Sequence, residues 1–415
     1  MGVANILQGS VRKAGNDVRI NAQLVSAADG FQLWSDSFDF ELSDVFAVQD
    51  QIAEEVATAL QVTLGTGDFN LPGNTRNVQA YDLAMQALFE ITRLSPNNIR
   101  RGITLAEGAV ESDPDYARGW MILGNAYGAA AAFLPQSESR EMPALSREAR
   151  ARAWQLAPEM PEAWIAEIDD ALGASDVLGS WNLLQEAIAN RTISEVEANR
   201  IEGHLRLVVG QNDEAILHLQ RARLLDPLEL FNYFNLTLAL YHAGRFEEAI
   251  EAASTGAELD NTTTLFPVLL RRVYVGQGEY QKAAEASASL TGANLYVILD
   301  DFLARGDLEG GLNALQEIRS SENYAIVMEL PFSAYASQFG DGDLAIDMLQ
   351  GNGMAEGVGA RLGQALFEKT MENARRTERF KDLAERLGYL DFWRATGNWG
   401  DYCRPLDGSD NFECF

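Results

Sequence analysis

The period of the apolar positions changes along this chain. Ile6 to Val11, Val18 to Leu24 and Phe31 to Phe38 are short runs rich in β-branched and aromatic residues, which fit a pleated, half-buried surface. Ala14-Gly15-Asn16-Asp17 and Ala27-Ala28-Asp29-Gly30 separate them. That is turn chemistry, so three short strands are expected. The spacing then lengthens to three and four residues at Val45, Val48, Ile52, Val56 and Leu60. These share one face of a helix expected from Ser43 to Leu64, with Ser43 as N-cap. Gly65 to Asn77, with its Gly, Asn and Thr residues and Pro72, reads as a linker.

A longer register follows. Gly210, Gly244 and Gly278 stand 34 residues apart, and so do Ala215, Ala249 and Ala283. This is the period of tetratricopeptide repeats, in which each repeat is one helical hairpin. The Gly closes the first helix where a positive φ or a close approach is needed, and the Ala lets the second helix pack tightly against it. Trp120-x2-Leu123-Gly124-x2-Tyr127 matches the first-helix pattern and follows Asp113-Pro114, which ends the preceding helix. Trp164 follows Pro158 at the offset that separates Trp120 from Pro114. Leu225-Asp226-Pro227 and Leu259-Asp260 are second-helix endings one period apart, and Gly306 and Gly340 resume the spacing after a shortened unit. About eight hairpins are expected between residues 78 and 350 at that period. The predicted fold is mainly α, a tetratricopeptide α-solenoid with a small N-terminal α/β segment. Its divisions are 1–64, the linker 65–77, the solenoid 78–350, and C-terminal helices with a Cys-containing tail at 351–415.

Length agrees, because 415 residues exceed one compact core whereas a solenoid needs only contacts between neighbours. With 32 basic and 61 acidic residues the formal charge is −29. Nucleic acid is therefore not an expected partner, since its phosphates need cations. No run of 18 apolar residues occurs, so no transmembrane segment is expected. Met1-Gly2-Val3-Ala4-Asn5 lacks the basic and apolar regions of an export signal, which leaves localisation open. Cys403 and Cys414 both lie in the last 13 residues. They form a disulfide that pins the tail or stay reduced, according to compartment. No metal is expected there, because His204, His218 and His242 are distant in sequence.

Gly357-x-Gly359-x3-Gly363 imitates a dinucleotide fingerprint without a preceding strand and reads as coincidental. Asp341-Gly342-Asp343 and Asp407 to Glu413 lack calcium-loop spacing and read as solvated acidic turns. No nucleophile elbow, His-Glu-x-x-His or Walker loop occurs, so no catalytic residue and no cofactor are assigned. Trp120 and Trp164 are expected to anchor helix packing.

Leu7-Gln8-Gly9-Ser10-Val11-Arg12-Lys13-Ala14-Gly15, Val18-Arg19-Ile20-x-Ala22-Gln23-Leu24, Leu33-Trp34, Phe46 and Gln49-Asp50 resemble the second half of the TolB-like N-terminal domain that precedes tetratricopeptide repeats in bacterial regulatory proteins. Phe392-Trp393-Arg394-x2-Gly397, Trp399, Asp401, Cys403-Arg404-Pro405 and Phe412-Glu413-Cys414 look like the tail those proteins carry. In that family the region follows a class III adenylyl cyclase or a winged-helix DNA-binding domain. The resemblance implies the sensory or scaffolding part of a signalling protein, on the periplasmic side where a membrane helix intervenes. Neither output activity carries over, since no residue here matches an output domain.

The candidate binding surface is the face lined by the first helices. Taking Tyr233 as the counterpart of Trp120, helical periodicity brings Phe234, Leu238 and Tyr241 to that face, with Arg200 and His204 from the preceding unit and Arg272 from the next. A basic stripe beside aromatics suits an extended peptide with carboxylates. The same residues also read as helix-surface charges paired locally. Two functions follow: a non-enzymatic scaffold that binds a protein or peptide, or a structural protein that associates with itself through its N-terminal strands and solenoid.

Overall fold

The computed structural model describes residues 4–41, 44–60, 72–93, 95–260, 265–287, 293–320, 329–350, 359–406 and 411–415. Ser43, Leu64, most of the expected linker, Gly357 and Asp407 lie outside the described residues. The chain divides into two compact units, Met1–Ala163 and Trp164–Phe415.

The first unit opens with an antiparallel meander of β1 (Asn5–Ala14), β2 (Asp17–Ser26) and β3 (Gln32–Glu41), in that order. Ala14 pairs with Asp17 across the loop Gly15-Asn16, where Gly15 has φ +64°. Helix α1 (Val45–Ala59) covers one face of the sheet: Val48 and Ile52 pack on Ala22, Phe38, Ile20, Trp34 and Phe40. Strand β1 is exposed along its whole length and forms an edge.

Helical hairpins follow. In the first unit, α2 (Val78–Ile91) pairs with α3 (Pro96–Ser112), and α4 (Ala117–Phe133) pairs with α6 (Met142–Leu156) across the short α5 (Gln136–Ser139). Asn77 caps α2 by accepting from the Gln79 and Ala80 amides, and Ser95 caps α3 with Pro96 at its first position. The boundary between the units falls within α7 (Pro161–Gly173), which is followed by α8 (Val177–Ala189).

The second unit continues with hairpins α9 (Glu195–Val208) and α10 (Asn212–Leu225), α11 (Leu230–His242) and α12 (Phe246–Leu259), and α13 (Leu265–Gln277) and α14 (Tyr280–Ser287). Two more are α15 (Ala293–Arg305) with α16 (Leu308–Ser320), and α17 (Glu329–Gln338) with α18 (Gly342–Gln350). The described residues thus hold the helices of eight hairpins. The fold is mainly α, a tetratricopeptide-type series of hairpins behind a small sheet.

The register has a visible cause. Gly210, Gly244, Gly278, Gly306 and Gly340 all have positive φ between the two helices of a hairpin. At Gly244 the amide donates to the Tyr241 carbonyl, and the next amide, Arg245, reaches back to Leu240. That pair of bonds closes the helix only if the turn residue is left-handed, which glycine adopts at least cost. Ala215, Ala249 and Ala283 are completely buried where the helices touch.

After α18 the chain folds back. Gly359–Leu362 is a tight helical turn, followed by α19 (Gly363–Leu366), a second turn at Lys369–Met371, α20 (Glu372–Arg375), α21 (Glu378–Arg386) and α22 (Tyr389–Thr396). A two-stranded ribbon of β4 (Cys403–Pro405) and β5 (Phe412–Cys414) ends it, and a Cys403–Cys414 disulfide ties the ribbon. Phe367, Phe380, Tyr389, Phe392, Trp393 and Phe412 of this lobe share one core with Val208 and Val209 of the α9 end, with Phe332 from α17 and with Phe339 just after it.

Candidate functional site

Of the residues expected to form a groove, Tyr241 and Arg272 bond to the C-terminal lobe. Capping places them: Ser194 starts α9 with a reciprocal Ser194–Glu197 capping box, Glu229 caps α11 through the Phe231 amide, and Gly210 and Gly244 end α9 and α11. Those caps fix the ends of α9, which carries Arg200 and His204, and of α11, which carries Phe234, Leu238 and Tyr241, while Arg272 lies on α13.

Tyr241 and Arg272 converge on one carboxylate. Glu368 Oε2 accepts from the Tyr241 hydroxyl at 3.0 Å and from Thr370 Oγ1 at 3.1 Å, while Oε1 accepts from Arg272. Arg272 also donates to the Gln364 carbonyl at 3.2 Å. Glu368 is 5% exposed and Tyr241 1%. Burial first, then the Glu368 charge, raises the Tyr241 pKa well above its usual 10. A charge taken out of water in this way persists only when its oxygens are fully bonded.

Arg200 and His204 do not join that cluster. His204 sits near Asp169, Arg361 and Arg200, and desolvation lowers its pKa to about 4. That shift favours its neutral form beside the Arg200 and Arg361 charges. Arg361 of the lobe pairs with Asp169 of α7 at 2.7 Å and donates to the Asp169 carbonyl at 2.7 Å. Leu238 is buried, and Phe234 packs beside it with its ring edge-on to Phe231 at 6.2 Å.

The lobe holds the end of α9 as well. Trp393 Nε1 donates to the Val209 carbonyl at 3.0 Å, Gln211 Nε2 to the Asn398 carbonyl at 2.7 Å, and the Asn212 amide to Asp401 Oδ2 at 2.7 Å. Two glycines allow this approach. A Cβ on Gly363 would come 1.7 Å from the Val208 carbonyl oxygen, and one on Gly210 would come 2.8 Å from the Phe367 ring.

His242 is a buried group that sequence did not single out. Its ring nitrogens are buried, and the polar group beside them is the Gln364 backbone. Burial, then the Arg272 and Arg375 charges, hold its pKa well below the usual 6.5, with a smaller opposing contribution from the Gln364 backbone. Its carbonyl accepts from the Tyr402 hydroxyl of the lobe. Glu368, Arg361 and Asp169 were missed as well, and no local pattern marks them.

Trp120 and Tyr233 behave as register partners. Trp120 Nε1 donates to the Pro114 carbonyl at 2.9 Å, and the Tyr233 hydroxyl donates to the Pro227 carbonyl at 3.0 Å. In the first unit, Trp120, Leu123, Tyr127, Leu145, Glu148 and Arg152 line a cavity of about 450 Å³. Among the described residues no group of His, Cys, Asp and Glu could hold a metal ion, and no helix is long and apolar enough to cross a membrane.

No family model matches the chain. It is 37% identical over 122 residues to a protein described as putative adenylate cyclase 3 of Rhizobium meliloti (strain 1021). That match covers 28% of this chain and 20% of the relative, so the chain spans about a fifth of the length of the curated protein it matches. Among solved structures it is similar to PilW, a widely conserved type IV pilus biogenesis factor, at 18% identity and TM-score 0.39, over 51% of this chain and 91% of that one. A monomeric mutant of IFIT1 with Gppp-AAAA matches at 14% identity and TM-score 0.45, over 78% and 79% of the two chains. Yeast Tom70 matches at 14% identity and TM-score 0.37, over 81% and 66%.

Proposed function

We propose that this chain is a non-enzymatic protein-binding module, the scaffolding or sensory part of a bacterial signalling protein. The observation that carries the reading is the row of first helices whose Tyr241 and Arg272 meet on a carboxylate, Glu368. Side-by-side helices with a polar clamp between apolar residues are a recognition surface for a peptide segment. The signalling assignment draws support from the TolB-like pattern at β1 to β3 and from the match to part of a putative adenylate cyclase. Immobilised full chain should retain specific proteins from a native bacterial lysate, read by quantitative mass spectrometry. Retention no greater than that of a blank matrix would sink the scaffold reading.

A second reading, self-association, is favoured by one observation. Edge strand β1 leaves Ile6 (44%), Leu7 (51%) and Val11 (67%) exposed, and a free edge with apolar side chains recruits another strand. Arg12 and Lys13 sit at one end of β1, so antiparallel pairing of two copies keeps those charges apart. Leu7→Lys with Val11→Lys should then convert a dimer into a monomer in sedimentation. A wild-type chain that is monomeric at micromolar concentration rules this reading out.

A further inference from the structure

The C-terminal lobe meets the first helices as a ligand would. Along one stretch, Arg361 pairs with Asp169, Phe367 closes over Gly210, and Glu368 enters the Tyr241–Arg272 clamp. Charge is complementary at both ends and an aromatic ring fills the middle. The contact is also imperfect. The side-chain oxygen of Asn212 is buried there without a hydrogen-bond partner, although the neighbouring Asn212 amide is bonded to Asp401. Unsatisfied polar groups cost free energy that opening the contact would return by hydrating them. A contact that is complementary in charge at its clamp yet incompletely satisfied at Asn212 suits an occupant that can be exchanged.

We propose that the described residues of the lobe, 359–406 and 411–415, are a resident occupant of this face, and that the Tyr241–Arg272 seat takes a partner peptide in which an aromatic residue is followed by a carboxylate. Such a seat rests on the scaffold reading and names its partner class. The incoming carboxylate replaces Glu368 between the Tyr241 hydroxyl and the Arg272 guanidinium, and the aromatic residue replaces Phe367 against Gly210. Binding is then regulated by the chain's own lobe, because the partner gains only its advantage over a tethered competitor.

The probe is a fluorescein-labelled peptide of residues 361–371, which contains the Leu-Phe-Glu sequence. The full wild-type chain should bind it weakly, and Glu368→Gln, whose lobe has lost the carboxylate, should bind roughly ten- to hundredfold more tightly. Adding Arg272→Ala should abolish that gain. Equal affinity for wild type and Glu368→Gln, or a gain that survives Arg272→Ala, overturns the proposal.

Should Glu368→Gln not fold, hydrogen exchange on the wild-type chain decides. Saturating peptide should speed exchange at the amides of residues 363–371, whereas the peptide with Gln in place of its Glu should not; unchanged exchange overturns the seat. Lysate capture separates the two levels. A chain that retains proteins but ignores the peptide has another binding face and no such seat. One that takes the peptide but retains no protein keeps the seat and loses the scaffold role.

Discussion

Gly244 and Gly210 share a left-handed backbone, with φ +72° and +79°, but differ in their surroundings. Nothing lies within 4 Å of a Cβ on Gly244, whereas one on Gly210 meets the Phe367 ring at 2.8 Å. Gly244→Ala should therefore cost the backbone term alone, about 1–2 kcal/mol. Gly210→Ala should cost more, and urea unfolding compares them directly; equal losses would mean that Phe367 does not seat there. His242 supplies a second residue-scale prediction. Facing it are Arg272 from α13, Arg375 from α20, the Gln364 backbone and Tyr402 from the lobe, and Tyr241 beside it on α11. Its folded pKa lies below the unfolded value of about 6.5, so the unfolded chain takes up the proton first. Stability is then full above pH 6.5 and falls as pH drops below it, by at most about 1.4 kcal/mol per unit for one group. His204, also depressed, adds to that slope. His242→Leu should flatten the decline between pH 6.5 and 5, and an unchanged slope would place the proton uptake elsewhere.

Among the elements, the hairpins were legible because their turn is a backbone requirement that only a few residues meet. Gly210, Gly244 and Gly278 announce it. The α7–α8 turn does not, because Ser175 holds the same left-handed conformation at φ +66° and makes the same pair of bonds, to Leu172 and from Asp176 to Ala171. Arg191 does likewise after α8 at φ +55°, so the period fades there although the geometry persists. Ala249 gives the packing test: it is fully buried at the contact of α11 and α12, and Ala249→Trp should destabilise by roughly 1–3 kcal/mol or more through overpacking. Unchanged thermal melting would contradict that register. The β4–β5 ribbon offers another test, because the Cys403–Cys414 bond spans a sequence separation of 11. Its reduction should cost up to about 3 kcal/mol on the chain-entropy model, and mass spectrometry without reductant should show two hydrogens fewer than the dithiol.

At the level of the whole molecule, the return of the C-terminal lobe onto α9, α11 and α13 was not legible in the sequence. Arg272 and Glu368 are 96 positions apart and Trp393 and Val209 are 184 apart; no short period records such pairs. Periodicity did put Tyr241 and Arg272 on one face, since a first helix repeats its geometry in each hairpin, and both meet Glu368, but it is silent on what lies opposite. The acidic total of −29 hides the local clamp for the same reason, because sums do not report placement. A double-mutant cycle tests most directly whether the lobe docks through that clamp. Urea unfolding of wild type, Arg272→Ala, Glu368→Ala and the double variant should give a coupling of about 1–3 kcal/mol, as for residues sharing one charged hydrogen-bond network. Losses that simply add, within about 0.3 kcal/mol, would mean that the lobe does not dock through Glu368 and would contradict the account.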